Sequence, residues 1–407
     1  MAILTEQPLP PVRHTRTPPH ILTLVALVSV STLAMNVFLP SLPAMAEYFQ
    51  ADYNVVARAV VLFLGVNAIL QVFIGPISDR YGRRPVILVG IALFMLATLG
   101  CIFAPNVETF LAFRMAQACV VVAMVLARAI VRDLYAQDRA ASMLGYVTMG
   151  MAVVPMISPA IGGWLDAHYG WHSNFWLMLA VGAALWLVTW FDLGETAPMS
   201  GGSFRSQVRQ YPELVTSRRF WGYCLAAAFA SGAFFAYLGG APYVGSVVYG
   251  MPPETLGLFF GAPAVGYMIG NGISGRFSQS AGVDRMILIG AIGQASGLGM
   301  LLVLTLLGFI SHWVFFGFIT FVGLGNGLVI PNATAGMLSV RPHLAGTASG
   351  LGGAIMIGGG AVLAEVAGHI LPLGGGALPL IALMALSGWA AIASIVVTIR
   401  RNRQIAS

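Results

Sequence analysis

Twelve stretches of predominantly apolar residues follow one another along this chain. They lie near 21–43, 54–76, 85–104, 109–131, 140–165 and 171–192, then 219–245, 254–277, 286–308, 311–338, 346–371 and 377–400. About 20 apolar residues coiled as a helix match the hydrocarbon thickness of a bilayer. Only helices or closed barrels satisfy their backbone inside lipid, and these runs are too long and too unbroken for the alternating strands of a barrel. The predicted fold class is therefore an all-α integral membrane protein with twelve transmembrane helices. Charge excludes a soluble alternative: Asp, Glu, Lys and Arg make up 8 % of the 407 residues, against about a quarter in a soluble domain. The net charge of +6 sits on a chain too apolar to be a nucleic-acid binder, and the partner implied is the lipid bilayer itself.

Every basic residue is arginine, and their placement predicts an orientation. Arg13 and Arg16 precede span 1, Arg80, Arg83 and Arg84 lie between spans 2 and 3, and Arg132 and Arg139 between spans 4 and 5. Arg205, Arg209, Arg218 and Arg219 fall in the middle loop, Arg276 and Arg285 flank loop 8–9, Arg341 follows span 10, and Arg400, Arg401 and Arg403 close the chain. All of these fall on the side of the termini, whereas the opposite loops carry Glu47, Asp52, Glu108, Asp166 and Glu254. The positive-inside rule then puts both termini in the cytoplasm, as expected for a multi-pass protein of a bacterial inner membrane.

Residues 1–20, with Pro8, Pro10, Pro11, Pro18 and Pro19, are expected to form a disordered cytoplasmic N-terminus. Span 1 is too long for a cleavable signal peptide. A polar stretch, 193–217, divides a first six-helix bundle (21–192) from a second (218–400), with a cytoplasmic tail at 401–407. A faint repeat supports the division: GPISDRYGRRP begins at Gly75 and NGISGRFSQSAGVDR at Asn271, each at the same place in its half. Cys101, Cys119 and Cys224 lie in apolar runs without metal or disulfide spacing; no metal site is expected.

The loop from Gly75 resembles the signature loop between spans 2 and 3 of the major facilitator superfamily, in the form found in twelve-span drug:proton antiporters. FLPSLPAM at 38–45, RAIVRDLY at 128–135, SPAIGGW at 158–164, GWHSNFW at 170–176, GLGNGLVIPNATAG at 323–336 and AGTASGLGGA at 345–354 are similar to the Bcr/CflA subgroup, named for bicyclomycin and chloramphenicol resistance. The resemblance covers roughly residues 20–400 and implies the major facilitator fold in two six-helix halves. It also implies secondary active export of small hydrophobic or amphipathic compounds in exchange for protons, by alternating access about a midplane site.

Several residues carry chemistry that suits such a machine. Asp79 at the mouth of span 2 stands beside Arg80, Gly82, Arg83 and Arg84. A carboxylate there can pair with an Arg or with helix N-terminal amides and act as a gating latch; the alternative is a plain arginine anchor. Arg114 falls inside span 4, where an Arg faces a partner or a wet cavity unless it snorkels outward. The resemblance gives it a part in proton coupling, although Ala118 stands where the family motif has Gly. In many relatives an acid stands at the place of Asn36, and Asn cannot titrate. Glu365, with His369 one turn later in span 11, is the remaining candidate proton carrier, the alternative being a wet position near the outer end. Asp133, beside Arg132, reads as a cytoplasmic-end ion pair or a third coupling candidate. Pro155, Pro159, Gly162 and Gly163 in span 5 resemble the antiporter motif, with kinks from Pro and close helix approach at Gly. Asn36, Asn67, Gln71, Tyr237, Tyr267 and Asn332 are the substrate-binding candidates, amides and rings suited to a neutral or weakly charged drug.

The expected protein is not an enzyme: the seven His are spread along the chain, and neither GxSxG nor GxxxxGK[ST] occurs. No cofactor is expected, and a twelve-span bundle encloses its own path as a monomer. The alternative function is a facilitator or metabolite exporter without proton coupling, which Asn36 makes credible.

Overall fold

The computed structural model describes residues 19–134, 137–196, 211–309, 311–341 and 345–406. Nearly all of the expected disordered N-terminus (1–18) and most of the expected linker (197–210) lie outside the described residues. Regular structure among the described residues is helical throughout. The twelve long helices are α1 Ile21–Tyr48, α2 Tyr53–Tyr81, α3 Arg83–Ile102, α4 107–134, α5 Gln137–Tyr169 and α6 His172–Asp192. They continue as α7 Arg218–Val248, α8 Pro253–Ala281, α9 Val283–Leu306, α10 His312–Val340, α11 Ala345–Ile370 and α12 Leu378–Ala406. Eleven are long and apolar enough among the described residues to cross a membrane, and α5, at 33 residues, is the remaining one. A short helix, Tyr211–Val215, precedes α7.

Local chemistry explains the ends and breaks. Side chains accept the orphan amides at the starts of α4 (Asn106 from Thr109), α7 (Ser217 from Phe220) and α10 (Ser311 from Val314). Pro40 and Pro43 supply no N–H, and α1 passes there through a 3-10 turn at Leu39–Ser41. A second 3-10 turn, Ala118–Val120, divides α4, whose later part runs Val121–Leu134. The α2–α3 and α8–α9 turns each rest on a glycine at positive φ, Gly82 at +94° and Gly282 at +82°. The faint sequence repeat is thus also a repeat of backbone conformation.

Within the first half α1 packs on α4, α5 and α6, and α3 on α4 and α6; within the second, α7 packs on α10, α11 and α12, and α10 on α8 and α9. Two seams join the halves, α2 with α11 and α5 with the start of α8. Along the first seam Arg58 meets Glu365, Ala57 faces Gly368, Ala68 faces Gly358, and Gln71 faces Gly353. Beside it the Tyr53 hydroxyl donates to the Gly239 carbonyl at 3.0 Å. These contacts run from the end remote from the termini to about mid-depth. Toward the terminal end, Gly75 on α2, Gly272 and Gly275 on α8 and Gly350 on α11 face open space.

Candidate functional site

At the terminal end, the loop after α2 forms a charged clasp. Asp79 pairs with Arg83 at 2.5 Å across one helical turn, and Arg83 also holds Asp133 on α4 at 3.1 Å and bonds the Ser78 hydroxyl. Asp133 therefore belongs to the clasp. The amides at the start of α3 are satisfied by Glu195, which accepts from the N–H groups of Arg83 (2.8 Å) and Arg84 (3.3 Å). The sequence reading left Glu195 in a polar linker, yet it ties the segment after α6 to the loop. Arg84 stacks over Trp190 at 4.9 Å and donates to its carbonyl; Arg80 is exposed and lies over Tyr81. Gly82 is required here on two counts: its φ is positive, and a Cβ would stand 2.3 Å from a Glu195 oxygen. Gly82→Ala is expected to destabilise the protein by about 1–3 kcal/mol, checked by thermal unfolding in detergent, from left-handed backbone strain and the displaced cap.

Arg114 is 0 % exposed and does not snorkel. Its guanidinium donates to the Ala34 carbonyl on α1 at 2.8 Å and to Gln117 Oε1 at 2.7 Å. Phe38 and Phe63 lie against the cation, each ring centre 4.3 Å away. Gln117 passes the network on to Thr98 on α3 at 2.7 Å. Asn36 donates to Thr32 of its own helix at 2.7 Å. The arginine is thus held by a backbone carbonyl, an amide and two rings.

Glu365 corrects an expectation. It lies in the last turns of α11, partly exposed, with Arg58 of α2 at 3.4 Å and His369 at 3.3 Å. Partial exposure near the end of α11 fits the alternative to a deep carrier. Arg58 also breaks the arginine asymmetry, since it stands at the end remote from the termini. Exposed pairs of this kind contribute about 0–1 kcal/mol, so this contact between the halves is cheap to break.

The substrate-binding candidates are drawn from both halves. Asn67 and Gln71 bond each other at 2.8 Å, and Gln71 faces α11 at Gly353. Asn332 donates to Ser274 of α8 and to its own helix at Leu328, both at 2.8 Å. Tyr237 is sealed in the second half among Phe234, Phe260 and Phe316, its hydroxyl donating to the Phe260 carbonyl. Tyr267 is half-buried on α8. Asn326 of α10 keeps a buried amide oxygen without a partner.

The motif helix α5 approaches two other helices closely. A Cβ on Gly162 would lie 1.7 Å from the Val37 carbonyl of α1, and one on Gly163 would lie 2.2 Å from the Pro253 carbonyl at the start of α8. Pro159 is buried and Pro155 half-buried; the Pro159 carbonyl would be 2.3 Å from a Cβ on Gly257 of α8. One turn further on, Asp166 is 8 % exposed, and one of its oxygens has no hydrogen-bond partner. It lies beyond the apolar stretch 140–165, and burial raises its carboxyl above the ordinary range, with the Ser41 hydroxyl pulling it partly back. The sequence reading counted this residue among the loop acids.

A bundle of apolar helices in two halves, joined along two seams, is the build of a membrane transporter. A family model described as Major Facilitator Superfamily matches residues 24–365, and the chain belongs to that family of transporters. It is 30 % identical over 378 residues to multidrug resistance protein D of Escherichia coli, covering 90 % of this chain and 92 % of that one. It is also 30 % identical to a bicyclomycin resistance protein homolog of Haemophilus influenzae, over 85 % of this chain and 88 % of that one. A chloramphenicol resistance protein of Pseudomonas aeruginosa is 27 % identical, over 80 % and 79 % respectively. These names fit the Bcr/CflA resemblance read from the motifs.

Proposed function

We propose that this transporter exports small hydrophobic or amphipathic compounds, of phenicol or bicyclomycin type, across the bacterial inner membrane in exchange for protons. It would act as a monomer with both termini in the cytoplasm, the side that most of the arginines mark. The observation that carries the reading is the backbone-to-backbone packing of Gly162 and Gly163 on α1 and α8. The helix that resembles the antiporter motif forms one of the two seams between the halves. In an arrangement open toward the cytoplasm, a compound would enter from that side and meet the Asn67–Gln71 pair near mid-depth. The resistance named for three relatives supports the substrate class.

One observation favours the second reading, a facilitator or metabolite exporter without coupling: Asn36 cannot carry a proton and is tied to its own helix. Inside-out membrane vesicles, acidified by respiration and followed with a pH dye, separate the two. Adding chloramphenicol, bicyclomycin or hydrophobic cations is expected to dissipate interior acidity as compound accumulates. Labelled compound that equilibrates without any loss of acidity selects the facilitator.

A further inference from the structure

We propose that the outer face along the seam of α9 and α12 binds an anionic phospholipid, its phosphate held among Arg285, Arg400, Arg401 and Arg403 at the terminal end. The proposal stands whether or not the transporter exchanges protons.

α9 packs on α10 and α12, and α12 packs on α7 and α9. The two run antiparallel. Asn402 near the end of α12 donates to Asp284 at the start of α9 at 2.9 Å, and further along a Cβ on Gly388 would lie 3.3 Å from the Ala295 Cα. On α9 the residues Arg285, Ile289, Ile292 and Met300 are exposed at helical spacing. On α12 Leu386, Trp389, Val397 and Arg400 are exposed in the same way. Counted from the Ala295–Gly388 contact at about 3.6 residues per turn, both stripes fall on the same side of the seam. They form two apolar walls, and each wall turns cationic at the terminal end.

Arg285, Arg400, Arg401 and Arg403 are all exposed there. None of the four stands in an ion pair among the described residues, and Arg401 reaches Gln404 of its own helix at 3.3 Å. The one acid on either helix is Asp284. Its oxygens are taken up on the inner side, by the Tyr223 hydroxyl of α7 at 2.7 Å and by Asn402. The first half repeats the arrangement with α3 packed on α6, but its charges are matched. Asp79 and Asp133 hold Arg83, Glu195 caps the start of α3, and Arg84 covers Trp190.

Apolar walls meet lipid tails of any kind, so selection falls to the headgroup. A phosphate diester is the anion that a bilayer supplies at this level, and guanidinium forks match its oxygens in bidentate pairs. One anionic lipid therefore covers the apolar walls with its tails and relieves the repulsion among the arginines with its phosphate. Because it binds the folded protein and not the unfolded chain, it raises stability by mass action.

The test uses the full chain in neutral detergent, with phosphatidylglycerol or phosphatidylcholine titrated into the micelles. Native mass spectrometry counts retained lipid, and thermal unfolding reports its effect on stability. The wild type is expected to hold phosphatidylglycerol about tenfold more tightly than phosphatidylcholine, and to unfold at a higher temperature with it. Arg285→Gln/Arg400→Gln should lose that preference; both side chains are exposed and outside any described ion pair, so folding does not depend on them. Arg80→Gln/Arg276→Gln removes equal charge from two other exposed arginines at the same end and should leave the preference intact. Equal retention of the two lipids by the wild type, or a preference that survives in Arg285→Gln/Arg400→Gln, overturns the proposal. An equal loss in Arg80→Gln/Arg276→Gln also overturns it, by showing a diffuse field instead of a site. So does an equal thermal shift from inorganic phosphate, which would assign the arginines to a free anion.

Discussion

Replacing Arg114 with methionine is expected to abolish transport and to lower stability by about 2–6 kcal/mol, the cost of two buried acceptors left without donors. The guanidinium bridges α4 to the Ala34 carbonyl of α1 and fixes Gln117, and through Gln117 it fixes Thr98 on α3. Methionine fills the volume between Phe38 and Phe63 but leaves the Ala34 carbonyl and Gln117 Oε1 without a donor in an apolar interior, where each orphan costs about 1–3 kcal/mol. Arg114→Lys separates charge from geometry. An ammonium on a flexible stem keeps the charge between the two rings, yet it cannot present a planar fork to both acceptors. Folding should largely recover in the lysine variant while transport in vesicles stays at least tenfold down. Thermal unfolding in detergent, read beside uptake of labelled compound, checks both. Wild-type transport by Arg114→Lys would mean that only the charge matters.

That network also shows where the sequence stops being readable. An arginine inside an apolar run is conspicuous, because its cost in lipid demands an explanation. Its partners are not conspicuous: one is a backbone carbonyl, which every residue has, and the other is a neutral amide. Asn36 is not among them: its side chain bonds back to Thr32. The twelve spans were legible because a bilayer fixes the length of an apolar helix, whatever packs around it. Depth near a helix end was less so. Glu365 falls within the eleventh apolar run, but α11 ends at Ile370, and its counter-ion Arg58 is contributed by the other half of the chain. Asp166 shows the reverse error. Its neighbours His168, Tyr169 and Gly170 are exposed, as loop residues would be, and its burial comes from α1 and α6 folding over it. Glu195 lay in a stretch rich in Gly and Ser, with nothing local to mark it as the cap of a helix more than 100 residues earlier. Contacts between residues far apart in sequence, rather than any missing motif, account for each of these.

Adjacent glycines in α5 should respond to the same substitution in opposite ways. Gly162→Val puts a side chain against the Val37 carbonyl of α1, inside one half. Nothing there can part without unpacking the bundle that also holds Arg114, so the overpacking cost, about 1–3 kcal/mol or more, appears as lost stability. Gly163→Val meets the Pro253 carbonyl of α8 instead, across the seam between halves. That strain is relieved by opening the seam, at the expense of weak contacts such as Arg58–Glu365. The same energy then appears as a shift of the conformational equilibrium, about 5–150-fold toward the outward-open arrangement. Gly257→Val, pressing on the Pro159 carbonyl from the other side, should copy Gly163→Val. The readout is an Ala57→Cys reporter, buried in this arrangement against Gly368, probed with an impermeant maleimide from the outside. Labelling should rise sharply in Gly163→Val and Gly257→Val, with near-normal thermal unfolding and little transport. Gly162→Val should instead unfold early without a matching rise in labelling. If Gly163→Val loses stability as Gly162→Val does and leaves Ala57→Cys protected, the α5–α8 seam is ordinary core packing. A gate differs from a core in exactly this respect: strain placed on it is released by motion that the fold already permits.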